Sequence, residues 1–465
     1  MSLPRYGEYK KSELSWLGLV PAHWPIKRIR YVADLNPSKS ELAGYNRNTV
    51  VSFLPMEAIG DDGSLNLDRT RTIAEVEVGY TYFRDGDVTL AKITPCFENG
   101  KGALIQGLRE GIGFGTTELI VARPKSSEVL GPMLNWIFRS PGFRNQGEAS
   151  MYGAGGQKRV PDNFLRDFAW PFPPINEQIA IIAFLDRETA KIDTLIAEQR
   201  KLIAVLAEKR EATVSQAVTK GLNANAPRKN SGVAWLGEVP SHWEVVRIKR
   251  VIASIEQGWS PQCENFPISL PDEWGVLKVG CVNGGVFRPM ENKKLPPGLE
   301  PVPAYSLKRG DLLISRANTR ELVGSAAAVG TDFDNLMLCD KLYRLRLDNA
   351  RCTPFYLAAY LGTPQARSQI ELDATGASSS MLNIGQSAIL DLLAPMPSVK
   401  EQNEIREFLR TETERLDTLN VVAERAIVLL KERRSALIAA AVTGQIDVRG
   451  VMSPALIEHP EVLAA

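Results

Sequence analysis

The sequence predicts an α+β protein in which two pseudo-symmetric α/β blocks are separated by an antiparallel coiled coil of two long helices. The first observation is a repeat: residues 16–24 (WLGLVPAHW) recur as residues 235–243 (WLGEVPSHW). The second is a charged, Leu- and Ile-rich stretch at residues 176–220 that has a counterpart at residues 398–443. Neither stretch contains Pro or Gly, so each is expected to form one continuous helix. Two similar helices in one chain most simply pack against each other in antiparallel fashion.

The two predicted helices share their landmarks. Each opens on a Glu-Gln pair, Glu177-Gln178 and Glu401-Gln402, and the offset Glu401 − Glu177 = 224 holds to the far end of both stretches. Ser398 stands three residues before Glu401, which predicts a capping box at the second helix. Spacing by alternate threes and fours predicts a coiled-coil seam. The seam residues are Ile182, Leu185, Thr189, Ile192, Ile196, Gln199, Ile203, Leu206, Arg210, Thr213 and Ala217 in the first helix, and Arg406, Leu409, Thr413, Leu416, Asn420, Ala423, Ile427, Leu430, Arg434, Leu437 and Ala441 in the second.

The repeat also predicts the domain organisation. Strand and turn signals come in the same order in both blocks, but the residues of their loops differ widely. Similar scaffolds with dissimilar loops indicate one task performed on two different targets. The predicted segments are residues 1–175 (first block), 176–224 (first helix), 225–397 (second block), 398–446 (second helix) and 447–465 (a C-terminal tail without an assigned role).

Composition excludes several classes of protein. The content of 44% hydrophobic and 23% charged residues is that of an ordinary globular protein. No apolar run approaches the roughly 18 residues of a membrane helix, and the first residues lack a signal-peptide core, which predicts a cytoplasmic protein. Five cysteines without a C-x-x-C motif indicate reduced thiols rather than a disulfide framework or a zinc site. The net charge of +1 neither requires nor excludes a nucleic-acid partner, so any basic surface has to be local.

Polar and basic loops occur at matching places in the two blocks. Residues 92–101 and 316–320 follow a Gly-Asp turn and an apolar strand, and residues 153–159 and 376–383 are Gly-rich stretches that precede each helix. Arg, Lys, Asn and Gln can hydrogen-bond base edges, whereas Ser, Thr and backbone amides suit phosphates. Taken singly, each loop is as easily an ordinary solvated loop. As a set that occurs twice, the loops favour DNA contact.

Catalytic motifs are not found in the sequence. His23 and His242 occupy the same place in the two repeats, but no Asp or Ser stands at a diagnostic spacing. Packing against the neighbouring tryptophan and capping the entry to the block is therefore predicted for both. No phosphate-binding P-loop, no N-P-P-[FY] or D-P-P-[FY] methyltransferase run and no convincing nuclease cluster is present. No catalytic and no metal-binding residues are predicted, and a self-sufficient DNA-modifying enzyme is disfavoured.

Several motifs together resemble a known family. The paired W-[IL]-G-x-[IV]-P-x-x-W segments, FLPMEAIGDDG at residues 53–63, ITPCFENGK at residues 93–101 and the P-P-I-N-E-Q-I opening of the first helix resemble the specificity subunits of type I restriction-modification systems. The resemblance spans about residues 6–446. The second block departs from the pattern, since it has Asn318-Thr319-Arg320-Glu321 in place of the Pro-Cys-x-Glu-Asn-Gly-Lys run.

The resemblance implies a function. Two target-recognition domains would each read one half of a bipartite DNA target, and the coiled coil would set the separation of the halves. Such a subunit is not an enzyme and binds no cofactor itself. It would bind two modification (methyltransferase) subunits, which use S-adenosylmethionine to methylate adenine, and then restriction subunits that use ATP and Mg. The alternative is a coiled-coil scaffold protein whose globular domains bind other proteins, which composition alone allows.

If the chain binds DNA, its candidate contacts are the polar and basic residues of the matching loops. In the first block these are Lys92, Thr94, Asn99, Lys101, Gln157, Lys158 and Arg159; in the second they are Arg316, Asn318, Arg320, Ser378, Ser379, Ser380 and Asn383, with Gln257 and Ser260 on a flanking loop.

Overall fold

The computed structural model of the protein describes residues 3–154, 156–378 and 381–451, with the backbone alone at residues 377 and 378. The chain forms two compact units. Unit 1 joins the residues up to 199 to those from 425 onward, and unit 2 consists of residues 200–424. Both divisions fall inside a long helix, so each unit contains part of both long helices.

Unit 1 is built from short strands, short helices, the beginning of one long helix and the end of the other. The strands are β1 (Tyr9–Leu14), β2 (Leu17–Pro21), β3 (Ile26–Arg28), β4 (Ala33–Leu35), β5 (Val50–Leu54), β6 (Thr70–Thr72), β7 (Thr81–Arg84), β8 (Val88–Ala91), β9 (Gly102–Leu104), β10 (Ile112–Gly115), β11 (Leu119–Pro124) and β12 (Ala169–Pro171). The helices are α1 (Ile29–Val32), α2 (Ile73–Val76), α3 (Gly131–Arg139), α4 (Pro141–Ser150), α5 (Asp162–Asp167) and the long helix α6 (Ile175–Lys220).

Unit 2 has a closely similar set of elements. Its strands are β13 (Arg228–Asn230), β14 (Glu238–Pro240), β15 (Glu244–Arg247), β16 (Ile252–Gln257), β17 (Gly275–Leu277), β18 (Asn292–Lys294), β19 (Ser306–Leu307), β20 (Leu312–Ser315), β21 (Ala317–Asn318), β22 (Ala326–Ala328), β23 (Phe333–Met337), β24 (Leu342–Leu347), β25 (Thr375–Ser378), β26 (Met381–Asn383) and β27 (Leu393–Met396). Its helices are α7 (Pro354–Leu361), α8 (Pro364–Asp373), α9 (Gln386–Asp391) and the long helix α10 (Val399–Val442).

The sheets of the two units have the same strand order. Unit 1 contains the four-stranded sheets β4-β11-β8-β9 and β6-β5-β10-β7, and unit 2 contains β16-β24-β20-β22 and β18-β17-β23-β19. The second sheet of each unit is mixed: β10 is parallel to β5 and antiparallel to β7, and β23 is parallel to β17 and antiparallel to β19. The α+β fold class with two pseudo-symmetric blocks is therefore confirmed.

The two long helices form where the sequence predicts them. Helix α6 has 46 residues and α10 has 44, so each is about 65–70 Å long at about 1.5 Å per residue. Their predicted seams supply buried residues in both units. In unit 1 these include Ile182, Leu185, Thr189, Ile192, Ile196 and Ala441; in unit 2 they include Leu206, Ala217, Leu409, Leu416 and Ala423.

Within each unit the two long helices run antiparallel. In unit 1, Arg434 binds Asp193 at 3.0 Å, while Arg449, beyond the end of α10, approaches Glu177 at the start of α6 at 3.5 Å. In unit 2, Arg210 forms an ion pair with Asp417. A Cβ atom placed on Gly221, just past the end of α6, would lie 3.6 Å from the carboxylate of Glu401 near the start of α10.

The two interhelical ion pairs are equivalent in sequence. Arg434 − Arg210 and Asp417 − Asp193 both equal 224, the offset that relates the Glu-Gln pairs. The seam arginines therefore join the two helices by the same kind of contact in each unit. Because the two aspartates are more than half exposed, the pairs favour the register of the helices more than they add stability.

The glutamate that opens α6 is bound by the repeated tryptophan motif. Glu177 accepts hydrogen bonds from Trp24 Nε1 at 3.0 Å and from Tyr6 Oη at 3.1 Å, and lies 2.7 Å from His23 Nε2. The carboxylate is almost fully buried, and hydrogen bonds compensate for the loss of water around it. This contact fixes the start of the helix to the beginning of unit 1.

The glutamate that opens α10 has the equivalent contacts. Glu401 accepts from Trp243 Nε1 at 2.9 Å and lies 3.1 Å from His242 Nε2. Ser398 Oγ accepts from the backbone N–H of Glu401 at 3.3 Å, as the predicted capping box requires. A capping box also has a reciprocal hydrogen bond, in which the glutamate side chain accepts from the backbone N–H of the capping residue. Here the Glu401 carboxylate binds Trp243 and His242 instead. Both histidines thus bind the glutamate that opens a long helix. The predicted packing against the neighbouring tryptophan occurs at His242, whose ring centre lies 6.3 Å from that of Trp243, whereas the ring of His23 lies beside Tyr6.

The glutamine of each pair binds the backbone of its own unit. Gln178 Oε1 accepts from the N–H of Leu130 at 2.9 Å, and Gln178 Nε2 donates to the carbonyl of Glu128 at 3.0 Å. Gln402 Oε1 accepts from the N–H of Thr353 at 2.7 Å, and its Nε2 donates to the carbonyl of Arg351 at 2.8 Å. The Glu-Gln pairs therefore connect the start of each long helix to the connecting segments of its own unit.

The segment that follows α10 packs into unit 1. The backbone N–H of Asp447 donates to the carbonyl of Pro4 at 2.8 Å, and Val448 is part of the buried core. The beginning of the predicted tail is thus ordered against unit 1, and residues 452–465 of that tail lie outside the described residues.

Candidate nucleic-acid interface

Each unit contains a loop of nine residues closed by the same hydrogen bond. In unit 1, residues 92–100 follow β8, and the N–H of Ala91 donates to the carbonyl of Lys101 at 3.0 Å. In unit 2, residues 316–324 follow β20, and the N–H of Ser315 donates to the carbonyl of Ser325 at 2.8 Å. We name these segments the first closed loop and the second closed loop.

Both closed loops end on a glycine with a left-handed backbone. Gly100 has φ of +87° and Gly324 has φ of +74°, a region that glycine adopts without the steric cost of a Cβ atom. The residues between the ends differ almost completely. The two units therefore present dissimilar side chains on loops of equal length and similar closure.

The beginning of each closed loop pairs with the later polar segment of the same unit. Ile93 bridges Arg159, which also bridges Tyr152. In unit 2, Ala317 of β21 pairs with Asn383 of β26. The structure therefore brings together, within each unit, the two stretches in which the candidate contacts lie.

The side chain of Arg159 is held by a carboxylate. Its Nε and Nη2 atoms donate to Glu118 at 3.0 and 2.7 Å, a bidentate ion pair. The hydrogen bond from Arg159 and its positive charge lower the pKa of the Glu118 carboxyl. The backbone N–H of Lys92 donates to the carbonyl of Glu118 at 2.8 Å, so Lys92 starts beside the same residue. Glu118 thereby orients the side chain of Arg159 beside the start of the first closed loop.

The remaining candidates of unit 1 form two groups, half-buried side chains with a partner in the protein and exposed side chains. Thr94 Oγ1 donates to Glu98 at 2.8 Å, and Lys101 Nζ donates to the carbonyl of Met56 at 3.1 Å. The exposed candidates are Asn99, Gln157 and Lys158.

Three candidates of unit 2 converge on Asp340, in the turn before β24. Gln257 Nε2 donates to its carbonyl at 2.9 Å, and Arg316 Nη1 donates to the same oxygen at 3.3 Å. Ser260 Oγ accepts from its backbone N–H at 3.1 Å and also contacts its carboxylate. The flanking loop and the second closed loop are therefore adjacent, as a shared interface requires.

The other candidates of unit 2 lie around the three-stranded sheet β21-β26-β25. Asn318 Nδ2 donates to Asn283 Oδ1 at 3.3 Å, and Asn383 lies on the neighbouring strand. Arg320 has an exposed side chain. Ser378 pairs through its backbone with Met381, whereas Ser379 and Ser380 lie outside the described residues.

Sequence reasoning did not find Glu118, Asp340 and Asn283. The carboxylates escaped notice because an acidic residue is an improbable contact for DNA, and its value here is to orient Arg159 and Gln257. Asn283 belongs to an Asn-Gly-Gly turn signal, which indicates a turn but not its neighbour. Their side-chain partners lie 24 to 83 residues away in sequence, a separation over which hydrophobic periodicity predicts no contact.

The arrangement offers hydrogen-bond donors and acceptors rather than reactive groups. Amide, hydroxyl and guanidinium side chains on the loops can pair with base edges and phosphates. Among the described residues, no group of three or more His, Cys, Asp and Glu side chains could hold a metal ion. No described helix is both long enough and apolar enough to cross a membrane.

Comparison with known proteins places these features in context. No protein-family model matches the chain. The specificity subunit of the type I restriction enzyme EcoEI from Escherichia coli is 30% identical over 460 residues, which cover 83% of this chain and 77% of that protein. The specificity subunit of the EcoAI enzyme from the same organism is 40% identical over 188 residues, 40% of this chain and 31% of that protein.

Solved structures share the fold. A chain from a structural study of complex assembly and conformational transition of the type I R-M system matches with a TM-score of 0.66 at 20% identity, covering 91% of this chain and 99% of the other. The HsdS subunit from Thermoanaerobacter tengcongensis matches with a TM-score of 0.55 at 18% identity, covering 91% and 98%.

Proposed function

The chain belongs to the family of type I restriction enzyme specificity subunits, and we propose that its two units each read one half of a bipartite sequence in double-stranded DNA. As a member of this family it is a non-catalytic subunit that supplies DNA sequence specificity. The comparisons lend no support to the alternative of a scaffold that binds other proteins.

The observation that carries this proposal is the pair of closed loops. Two readers of one duplex need a common way to approach the groove but different side chains for different bases. Loops of nine residues, closed by equivalent hydrogen bonds and ending on left-handed glycines, meet the first need. Their dissimilar sequences meet the second.

The proposed DNA contacts follow the exposure of the side chains. In unit 1, Asn99, Gln157 and Lys158 are exposed, and Arg159 is oriented by Glu118 beside them. In unit 2, Arg320 is exposed and Arg316 lies beside the turn at Asp340. Much of the affinity would come from phosphate contacts and would therefore fall as salt rises.

The proposed partners are those that the family implies. Specificity subunits of type I systems work with methyltransferase and restriction subunits, and we propose two modification subunits and two restriction subunits for this chain. Apolar side chains exposed on the long helices, among them Leu202, Val205, Val421 and Val422 of unit 2, suit a docking surface for helices of a partner.

Cofactors are proposed for the partners alone. S-adenosylmethionine would serve the modification subunits, and ATP and Mg the restriction subunits. Because its proposed target is DNA, the compartment that we propose for the chain is the cytoplasm.

Methylation mapping tests the proposal directly. Cells that produce the chain together with its modification subunit should acquire methylated adenines in one split motif, with two specified halves around an unspecified spacer. Deleting the chain should abolish that methylation. A contiguous motif, or methylation that persists without the chain, would contradict the proposed function.

Single substitutions test the proposed contacts. Lys158→Ala should weaken binding or base preference at one half of the motif, and Arg320→Ala should act on the other half, measured with the full chain on a library of randomised duplexes. Lys11→Ala, an exposed lysine on β1, is the matched control and should change neither half. If Lys158→Ala and Arg320→Ala leave affinity and preference unchanged, these contacts are wrongly assigned.

A further inference from the structure

One arginine holds two backbone carbonyls of the first closed loop. Arg144, in α4, donates from Nη1 to the carbonyl of Phe97 at 2.7 Å and from Nη2 to the carbonyl of Gly100 at 3.1 Å. Its guanidinium lies 4.9 Å from the centre of the Phe97 ring. The two carbonyls flank Asn99, a proposed DNA contact.

The second closed loop is held in the same manner. Arg367, in α8, donates from Nη2 to the carbonyl of Arg320 at 3.1 Å and from Nη1 to the carbonyl of Val323. Again the two carbonyls are three residues apart. The carbonyl of Arg320 is bound while its side chain, a proposed DNA contact, is exposed.

The two arginines occupy equivalent positions on equivalent helices. Helix α4 begins after Ser140, whose Oγ accepts from a backbone N–H at 3.4 Å, and α8 begins after Thr363, whose Oγ1 accepts in the same way at 3.3 Å. A proline follows each cap, and the arginine is the third residue after that proline. The side chains of the two loops differ, so the arginines and their helices belong to the shared scaffold rather than to the variable part of each loop.

We propose that Arg144 and Arg367 are positioning residues that fix the two closed loops in the geometry needed to read bases. The proposal rests on the proposed function. A guanidinium is a planar fork that can bind two carbonyls at once, which a lysine cannot do with the same geometry. Because carbonyls are common to all residues, the loop side chains can differ between the units while the backbone keeps its place.

Helices α4 and α8, which carry the two arginines, pack closely against the closed loops. Burial, with a smaller effect of the charge of Arg139, lowers the pKa of Arg144 to about 10, which leaves its side chain protonated at neutral pH. A Cβ atom on Gly147, one turn further along α4, would lie 2.2 Å from the ring of Phe97. In unit 2, a Cβ atom on Gly324 would lie 2.6 Å from Ile370 of α8. Each helix therefore supports its loop through side-chain packing as well.

The test replaces each arginine by glutamine in the full chain and measures base preference on a library of randomised duplexes. Arg144→Gln should reduce discrimination by about tenfold, the effect of one lost base contact, in one half of the motif. Arg367→Gln should do the same in the other half only. Each variant is the matched control of the other for effects on the whole chain. The melting transition of each variant should match that of the wild type, which excludes unfolding of one unit as the cause of a loss in one half.

Two conservative variants and a second measurement complete the design. Arg144→Lys and Arg367→Lys should recover part of the discrimination, since lysine keeps the charge but not the fork. Hydrogen exchange of the backbone amides at residues 97–101 should be faster in Arg144→Gln than in the wild type, with residues 320–325 unchanged. This exchange measurement reports on the loop even where a variant binds DNA poorly.

Different results would contradict the positioning role and the proposed function. If both glutamine variants keep the discrimination of both halves within twofold, or lose both halves together, the positioning role is wrong. If the wild-type chain shows no split preference, the proposed function fails, and the positioning role that rests on it fails with it. Unchanged exchange at residues 97–101 in Arg144→Gln would overturn the positioning role alone.

Discussion

The carboxylate of Glu273 is bound on both oxygens. Lys294 Nζ donates to it at 2.7 Å, and the backbone N–H groups of Ser269 and Leu270 donate at 2.7 and 3.1 Å. These hydrogen bonds, that of Lys294 first, lower the pKa of Glu273 to about 2. They favour the ionised form in the folded state.

A pH dependence follows from this lowered pKa. A carboxyl with a depressed folded-state pKa stabilises the protein above its unfolded pKa and loses that contribution as pH falls toward its folded pKa. Glu273→Gln should therefore lower the melting temperature at pH 7, and the difference from the wild type should narrow between pH 4.5 and pH 3. Asp272→Asn removes the neighbouring carboxylate and serves as the control. A difference that stays constant down to pH 3 would contradict the assignment.

The five cysteines differ in accessibility. Cys281, Cys339 and Cys352 are buried, whereas Cys96 and Cys263 are half-buried. Burial raises the pKa of all three buried thiols, of Cys339 and Cys352 to about 12, so almost no thiolate is present at neutral pH.

Alkylation of the native protein should reflect this difference. Iodoacetamide at pH 8 should modify Cys96 and Cys263 first, and mass spectrometry should find the three buried cysteines modified only after denaturation. Equal rates at Cys352 and Cys263 in the native protein would show that unit 2 opens more readily than its packing implies.

Among the helices and strands, the buried seam of α10 offers the clearest test by substitution. Leu416 is 3% exposed and Leu419, on the same helix, is 41% exposed. Leu416→Ala should reduce the free energy of unfolding by about 2–5 kcal/mol through lost burial and a cavity. Leu419→Ala should change it by less than about 1 kcal/mol. Denaturant unfolding, followed by circular dichroism, measures the free energy of unfolding of both variants. Equal losses of stability would contradict the assignment of Leu416 to a buried seam.

The long helices were largely predictable because their signals are local. Spacing and the absence of Pro and Gly predicted continuous helices over residues 176–220 and 398–443, within a residue of the observed ends of α6 and α10, whereas the predicted helix segments 176–224 and 398–446 extend four residues beyond those ends. The start of the second seam was wrong at Arg406, which is exposed, while Ile405 is buried. The first turns of α10 pack against the core of unit 2 rather than against the other long helix. Gln402 and Ile405 therefore lie on the buried face of this part of the helix.

The strand order and the neighbours of the closed loops were not predictable in the same way. The sequence shows that the loops recur, but the contacts of Glu118, Asp340 and Arg144 join residues that are far apart along the chain. Such contacts depend on the assembled sheets and not on any pattern within a segment. The candidate contacts Lys158 and Arg320 remain predictions.

For the whole molecule, the division of the long helices between the units decides which fragments can fold. The core of unit 1 contains Ile438, Val442 and Val448 in addition to residues before 186. The main core of unit 2 lies entirely within residues 217–409. The first block is therefore incomplete without the end of the chain, and unit 2 is contiguous.

Fragments should behave accordingly. Residues 1–224 alone should show no cooperative melting transition near that of the whole chain, and addition of residues 225–465 should restore one. Residues 200–424 should melt cooperatively without a partner fragment, and they provide the control. Differential scanning calorimetry measures all three. A fragment 1–224 that melts like the intact protein would show that residues 425–451 are dispensable for unit 1.

The same division has a consequence during synthesis on the ribosome. The first block emerges first, yet it lacks the residues beyond 424 that complete its core. Translation of residues 200–424 takes about 10–45 s at about 5–20 residues per second. Throughout that delay the apolar face around Ile182 and Leu185 stays open to water and to chaperones, so the half of the protein that is made first is the last to mature.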